Sequence, residues 1–197
     1  LLSSKEIGLS AANRAIRRLD AKKINSTKLP VLFDKRISRS LLSSFASAIS
    51  GSAFSRGTTF LKNKLNERIF SDDIYIYDDP LIESGLGSQH FDSEGVASKK
   101  IELVKKGELK NIFLDTYHAN ILKMQTNGRS GGSTNLFFEN GKISLEKIIT
   151  NHKRALYITD LIGRGSDIIT GDYSVGASGI MIENGELRYA VNEITIA

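Results

Sequence analysis

Apolar positions recur at helical spacing in the first third of the chain and alternate at strand spacing in the rest. Residues 10–23 read as a helix, with Ser10 as cap and Ala12, Ala15, Ile16 and Leu19 on one face. Leu29–Asp34 is a short apolar run with Pro30 at its start, which suits a buried strand. Ser38–Leu65 continues as a helical stretch whose stripe is Leu41, Leu42, Phe45, Ile49 and Phe54. Between these lie Ser, Ala and Gly, so another backbone can approach closely. Gly51 and Gly57 each cost a helix ~1 kcal/mol relative to Ala, which predicts a break near them. The segment is therefore expected to be central and tightly packed.

Beyond Ile74–Tyr77, an alternating strand, the pattern changes: 14 of the 17 glycines lie at or after Gly85. Lys99–Lys105 and Glu108–Leu114 flank Lys106-Gly107 as a hairpin, and Asp115–Met124 reads as a helix containing His118. The loop Gln125–Ser133 leads to a strand over Asn135–Glu139. Ser144 caps a helix running to about Lys153, with Glu146 in its first turn. Ala155–Ile162, Asp172–Glu183 and Glu186–Ile196 are strands, the last two joined by Asn184-Gly185. Residues 1–70 are thus mainly helical, and 71–197 mainly β with two helices. The predicted class is α+β, with N-terminal helices packed on a mostly antiparallel, strand-rich part.

With 197 residues, 40% hydrophobic and 25% charged, the chain can bury a core without staples. It has no Cys, which excludes disulfides, thiolate zinc sites and a cysteine nucleophile. No apolar run approaches 18 residues, so no membrane span is expected. The chain starts Leu1-Leu2-Ser3-Ser4 and stops inside a β-prone run, and it reads as a piece of a longer protein whose N-terminal domain is absent.

The net charge of +5 hides an asymmetry: residues 1–70 carry 14 Lys and Arg against 4 Asp and Glu. A basic segment can bind nucleic acid. Here the aromatics Phe33, Phe45, Phe54, Phe60 and Phe70 sit at core-like positions, so no exposed stacking surface is expected and nucleic acid is not the favoured partner.

Chemistry is sparse. His118 and His152 lack a His or Glu at the i±3 or i±4 spacing of a helical zinc site, and His90 has only Glu94, four residues on. His90 with Asp92 and Glu94 is the one place where imidazole and carboxylates lie close, suiting metal or substrate contacts or a solvated turn. Asp78 and Asp79 before Pro80 read as solvated strand-end acids. Gly128–Thr134 is glycine-rich but lacks the Lys and the strand-to-helix placement of a P-loop.

The ordered set Asp78-Asp79-Pro80, Phe91-Asp92-Ser93-Glu94-Gly95, Leu114-Asp115-Thr116-Tyr117, Gly131-Gly132-Ser133-Thr134-Asn135 and Thr170-Gly171-Asp172-Tyr173-Ser174-Val175-Gly176 resembles the C-terminal part of the TldD/PmbA family, PmbA (TldE) branch. The resemblance implies a cytoplasmic bacterial proteolytic system. In it a TldD-type subunit carries a zinc-binding His-Glu-x-x-x-His helix. A PmbA-type subunit pairs with it, or with itself as a dimer, around a channel admitting unfolded peptides such as toxins or antitoxins. The family also bears the older label of DNA gyrase modulator, and a nucleic-acid or gyrase-associated role is the alternative. In this chain the corresponding helix, Leu41–Gly57, contains no His and no carboxylate, so no catalytic or zinc-binding residue carries over. The chain is expected to be the non-catalytic partner, with zinc in the TldD-type subunit. Asp92, Glu94, Gly95, Arg129, Gly131 and Gly132 are the candidate channel residues.

Overall fold

The computed structural model describes residues 3–163 and 165–197, and the class is α+β with five helices and two four-stranded sheets among them. Two compact units are formed: residues 1–39, 141–166 and 172–197 make the first, and 40–140 with 167–171 the second.

In the first unit, β1 (Val31–Phe33), β6 (Arg154–Ile162), β7 (Val175–Glu183) and β8 (Glu186–Ile196) form a sheet in the order β1-β6-β7-β8. β1 pairs parallel to β6, and the other pairs are antiparallel. Strand alternation gives β6 two buried faces. Leu156 and Ile158 join Ala177, Met181 and Val191, while Ala155 and Tyr157 join Ile182 and Ile149 of α5 (Leu145–Thr150). The β7–β8 turn is Asn184-Gly185 with φ 53° and 80°, the left-handed pair that a type I′ hairpin requires.

α1 spans Ser4–Ile16, six residues earlier than the apolar spacing predicts. Its cap is Ser3, not Ser10: the Ser3 hydroxyl accepts from the Glu6 amide, and the Glu6 carboxylate accepts from the Ser3 amide at 2.7 Å. The helix buries no residue, so Ile16 and Leu19 are exposed where the periodicity predicts a core face.

In the second unit the sheet order is β4-β3-β2-β5, built from β2 (Ile76–Asp78), β3 (Ile101–Lys105), β4 (Glu108–Leu109) and β5 (Leu136–Phe138). Its core gathers Ile49, Leu103, Leu109, Ile112 and Leu114. The long helical stretch breaks into α2 (Ser38–Ala48) and α3 (Gly51–Arg56), with Ser50 capping α3 and Gly57 closing it at φ 67°. The break permits a close approach: the Gly51 amide donates to the Phe113 carbonyl at 2.7 Å, and a β-carbon there would meet that oxygen at 2.8 Å. Two of the five phenylalanines assigned to the core depart from it, Phe60 and Phe70 being 47% and 39% exposed. α4 (Thr116–Leu122) ends two residues short of the predicted Met124 because Lys123 turns left-handed.

Candidate functional site

The candidate residues converge in the second unit, on the loops 90–98 and 127–135. Asp78, expected to be solvated, is fully buried at the end of β2. Its Oδ2 accepts from Arg129 Nε at 2.6 Å and from the Thr134 hydroxyl at 2.7 Å, and Oδ1 accepts from the Thr134 amide at 2.8 Å. Arg129 uses its other guanidinium donors on four carbonyls, those of Asn127, Gly128, Asp78 and Lys99, at 2.7–3.2 Å. Both side chains have no exposed surface, so a full set of partners is what makes the burial tolerable.

Asp92 repeats the design on a smaller scale. It is 4% exposed, its Oδ1 accepts from the amides of Glu94 and Val96, and its Oδ2 accepts from the Ser130 amide at 2.8 Å. That last bond ties one loop to the other. Glu94 reaches across to α4, its Oε2 accepting from the Thr116 amide at 2.8 Å. Gly95 turns at φ 77° and Gly131 and Gly132 at φ 107° and 95°. A β-carbon would meet nothing within 4 Å at Gly95 or Gly132, so main chain there faces open space. The six candidates thus divide into two buried anchors, Asp92 and Arg129, and four residues of the loops they hold. Arg129, with no exposed surface, can reach a ligand only through the loop it positions.

The sequence pattern did not single out the pair Asp115–His118. Asp115 caps α4, its Oδ1 accepting from the His118 amide at 2.7 Å, while Oδ2 lies 2.7 Å from His118 Nδ1. Partial burial acts to raise the Asp115 pKa, but the hydrogen bonds and charge of His118 outweigh it and hold the carboxyl below its ordinary value. A lowered folded-state pKa means that this stabilisation is complete above the ordinary value of 3.8 and is lost as pH falls through the folded value. Asp115→Ala is expected to cost about 1 kcal/mol at about pH 7 and much less at about pH 2, measured by urea unfolding at each pH. The Asp-x-x-His spacing at a helix start is the signal that would have found the pair.

His90, Asp92 and Glu94 do not converge on a metal site among the described residues; both Asp92 oxygens and Oε2 of Glu94 are engaged by backbone amides. The zinc that the family resemblance places in a TldD-type subunit does not fit the donors of this chain: α2 and α3 carry no His, Asp, Glu or Cys, and among the described residues no three such side chains converge. No helix among the described residues is long and apolar enough to cross a membrane.

Comparison with known proteins establishes the family. Residues 26–197 match the model of the PmbA/TldA metallopeptidase C-terminal domain. The chain is 40% identical over 197 residues to the metalloprotease PmbA homolog of Buchnera aphidicola from Acyrthosiphon pisum, covering 100% of this chain and 44% of that protein. Among solved structures, a candidate modulator of DNA gyrase from Bacteroides thetaiotaomicron superposes with a TM-score of 0.92 at 36% identity, covering 98% of this chain and 44% of that one. TldE from Thermococcus kodakarensis gives 0.81 at 30%, covering 95% and 45%. The chain therefore spans under half the length of these relatives. It belongs to the PmbA/TldD metallopeptidase family, and it matches that family's C-terminal domain.

Proposed function

We propose that this chain is the C-terminal part of a PmbA/TldE-type subunit, the non-catalytic member of a two-component cytoplasmic zinc peptidase acting on unfolded peptides. The observation that carries the reading is the α2–α3 pair. It keeps a helix-turn-helix in the core, packed so closely at Gly51 that a side chain has no room, yet it offers only Ser, Ala, Leu, Phe, Gly and Arg. A zinc peptidase needs three ligands and a base to activate water, and hydroxyls of this kind supply neither. The chemistry then resides in a TldD-type partner, and this subunit shapes the path of the peptide.

Peptide contact is assigned to the linked loops and the strand that follows them. β5 is an edge strand whose Phe137 and Phe138 are 38% and 50% exposed. An extended peptide can add to such an edge through main-chain hydrogen bonds, which tolerate many sequences. Glu94, Gly95, Gly131 and Gly132 would line its approach.

The test uses the protein alone and mixed with a His-Glu-x-x-x-His partner, reading zinc content and cleavage of an unfolded peptide. The lone protein is expected to hold no stoichiometric zinc and cut nothing, and the mixture to cut faster than the partner alone. Zinc-dependent cleavage by the lone protein would overturn the assignment.

A further inference from the structure

In the first unit a groove of about 290 Å³ runs between α1 and the sheet face that carries Tyr157 and Thr159. Ala11, Arg14, Ala15 and Arg18 recur at helical spacing along its helical wall, with Arg17 beside them. The opposite wall is preorganised. The Tyr157 hydroxyl donates to Asp34 Oδ2 at 2.6 Å, and Arg36 holds Asp34 Oδ1 through its amide at 2.9 Å and Nε at 3.2 Å. Asp160 pairs with Arg18 at 3.4 Å and accepts from the Thr159 hydroxyl. Burial and the neighbouring Asp34 push the Tyr157 hydroxyl up to about 12, so it remains a donor throughout the working pH range.

Four cations therefore face two carboxylates, and the two acids are already taken by Arg36 and Arg18. Arg14 and Arg17 have no carboxylate within 4 Å among the described residues; Arg14 donates only to the Ser10 hydroxyl at 2.8 Å. Two uncompensated guanidinium groups one helical turn apart suit a bidentate oxoanion. The acids behind them disfavour a dianion such as phosphate, and Ala11, Ala15 and Ile180 add apolar surface beside the charge. The volume lies at the lower limit of ligand pockets, roughly 300 Å³, which admits a terminal residue rather than a folded segment.

We infer that the groove binds the free C-terminal carboxylate of a peptide, held by Arg14 and Arg17, with the terminal side chain against Ala11, Ala15 and Ile180. The identity of the carboxylate donor rests on the peptide-handling reading above.

Fluorescence anisotropy with an N-terminally labelled peptide ending in alanine tests it, run in parallel with the same peptide as its C-terminal amide. The free acid is expected to bind about tenfold more tightly than the amide, the scale of a charge-assisted pair. In the double variant Arg14→Gln/Arg17→Gln this preference should disappear, whereas Arg188→Gln, an exposed arginine paired with Glu186, should retain it. Arg14 and Arg17 are both exposed, so the fold is expected to survive their loss, and circular dichroism checks that. Equal binding of acid and amide, or a preference that survives the double variant, overturns the inference. So does inorganic phosphate displacing the peptide at lower concentration than acetate. Acid-selective binding alongside a failure to enhance a partner's cleavage would sink the peptidase reading and leave this site standing.

Discussion

Arg129→Met is expected to destabilise the protein by about 3–5 kcal/mol, because it leaves the Asp78 carboxylate buried with no countercharge. Asp78 would keep its two bonds from Thr134, which satisfy hydrogen bonding but not charge. The four carbonyls that Arg129 now binds would also lose its guanidinium donors. Such a loss is a large share of a typical domain's stability, so the single variant can fall below the folding threshold. The double variant Asp78→Asn/Arg129→Met removes both charges and is expected to be more stable than Arg129→Met alone. Urea unfolding of the two variants checks this. A cost below ~1 kcal/mol for the single change, or a double variant no better than the single, would show that the pair does not hold these loops. The Asp92–Ser130 bond transmits the effect to residues 92–96, so loss of Arg129 should loosen both loops of the candidate channel together.

Gly179→Ala carries the second large effect, about 3 kcal/mol of destabilisation. Gly179 stands opposite Ile158 and Val191, and the register of β7 slips beside it on both sides. A β-carbon there would be driven into the Tyr157 carbonyl oxygen and to 3.0 Å from the Ile158 α-carbon. Both obstacles are main chain, so no rotamer change relieves them and the β6–β7 ladder must open. Gly176→Ala, three residues earlier in β7, is the control: its nearest neighbour is the Ile162 β-carbon at 3.4 Å, and a change within ~0.5 kcal/mol is expected. Equal urea midpoints for the two variants would rule out the steric account.

What local pattern could reveal was revealed. Asn184-Gly185 and Lys106-Gly107 both form left-handed turns, and β8 runs from Glu186 to Ile196 as its alternation predicts. The helix break near Gly51 likewise follows from propensity. Errors arise where the deciding partner is far away or where a cap outweighs periodicity. Asp78 resembles any strand-end acid until Arg129, 51 residues on, is seen against it. α1 begins at Ser4 because the Ser3–Glu6 box satisfies its first amides, although no apolar stripe there finds a core. In the candidate site, the sequence pointed to these two loops but could not separate anchors from rim. Asp92 and Arg129 differ from Glu94 in burial, and burial is set by residues elsewhere in the chain.

The parallel pairing of β1 with β6 has a consequence for the order in which the chain can fold. Val31 meets Leu156, so about 125 residues must be made before β1 has a partner. β6, β7 and β8 are neighbours in sequence and can assemble as a meander, whereas β1 must wait through the whole of residues 40–140. If those residues have already folded, the loop that β1 must close is a compact body rather than a free coil, and the entropic cost falls accordingly. β1 therefore stays unpaired until β6 has been made, and its unpaired lifetime is governed by how quickly the inserted unit completes.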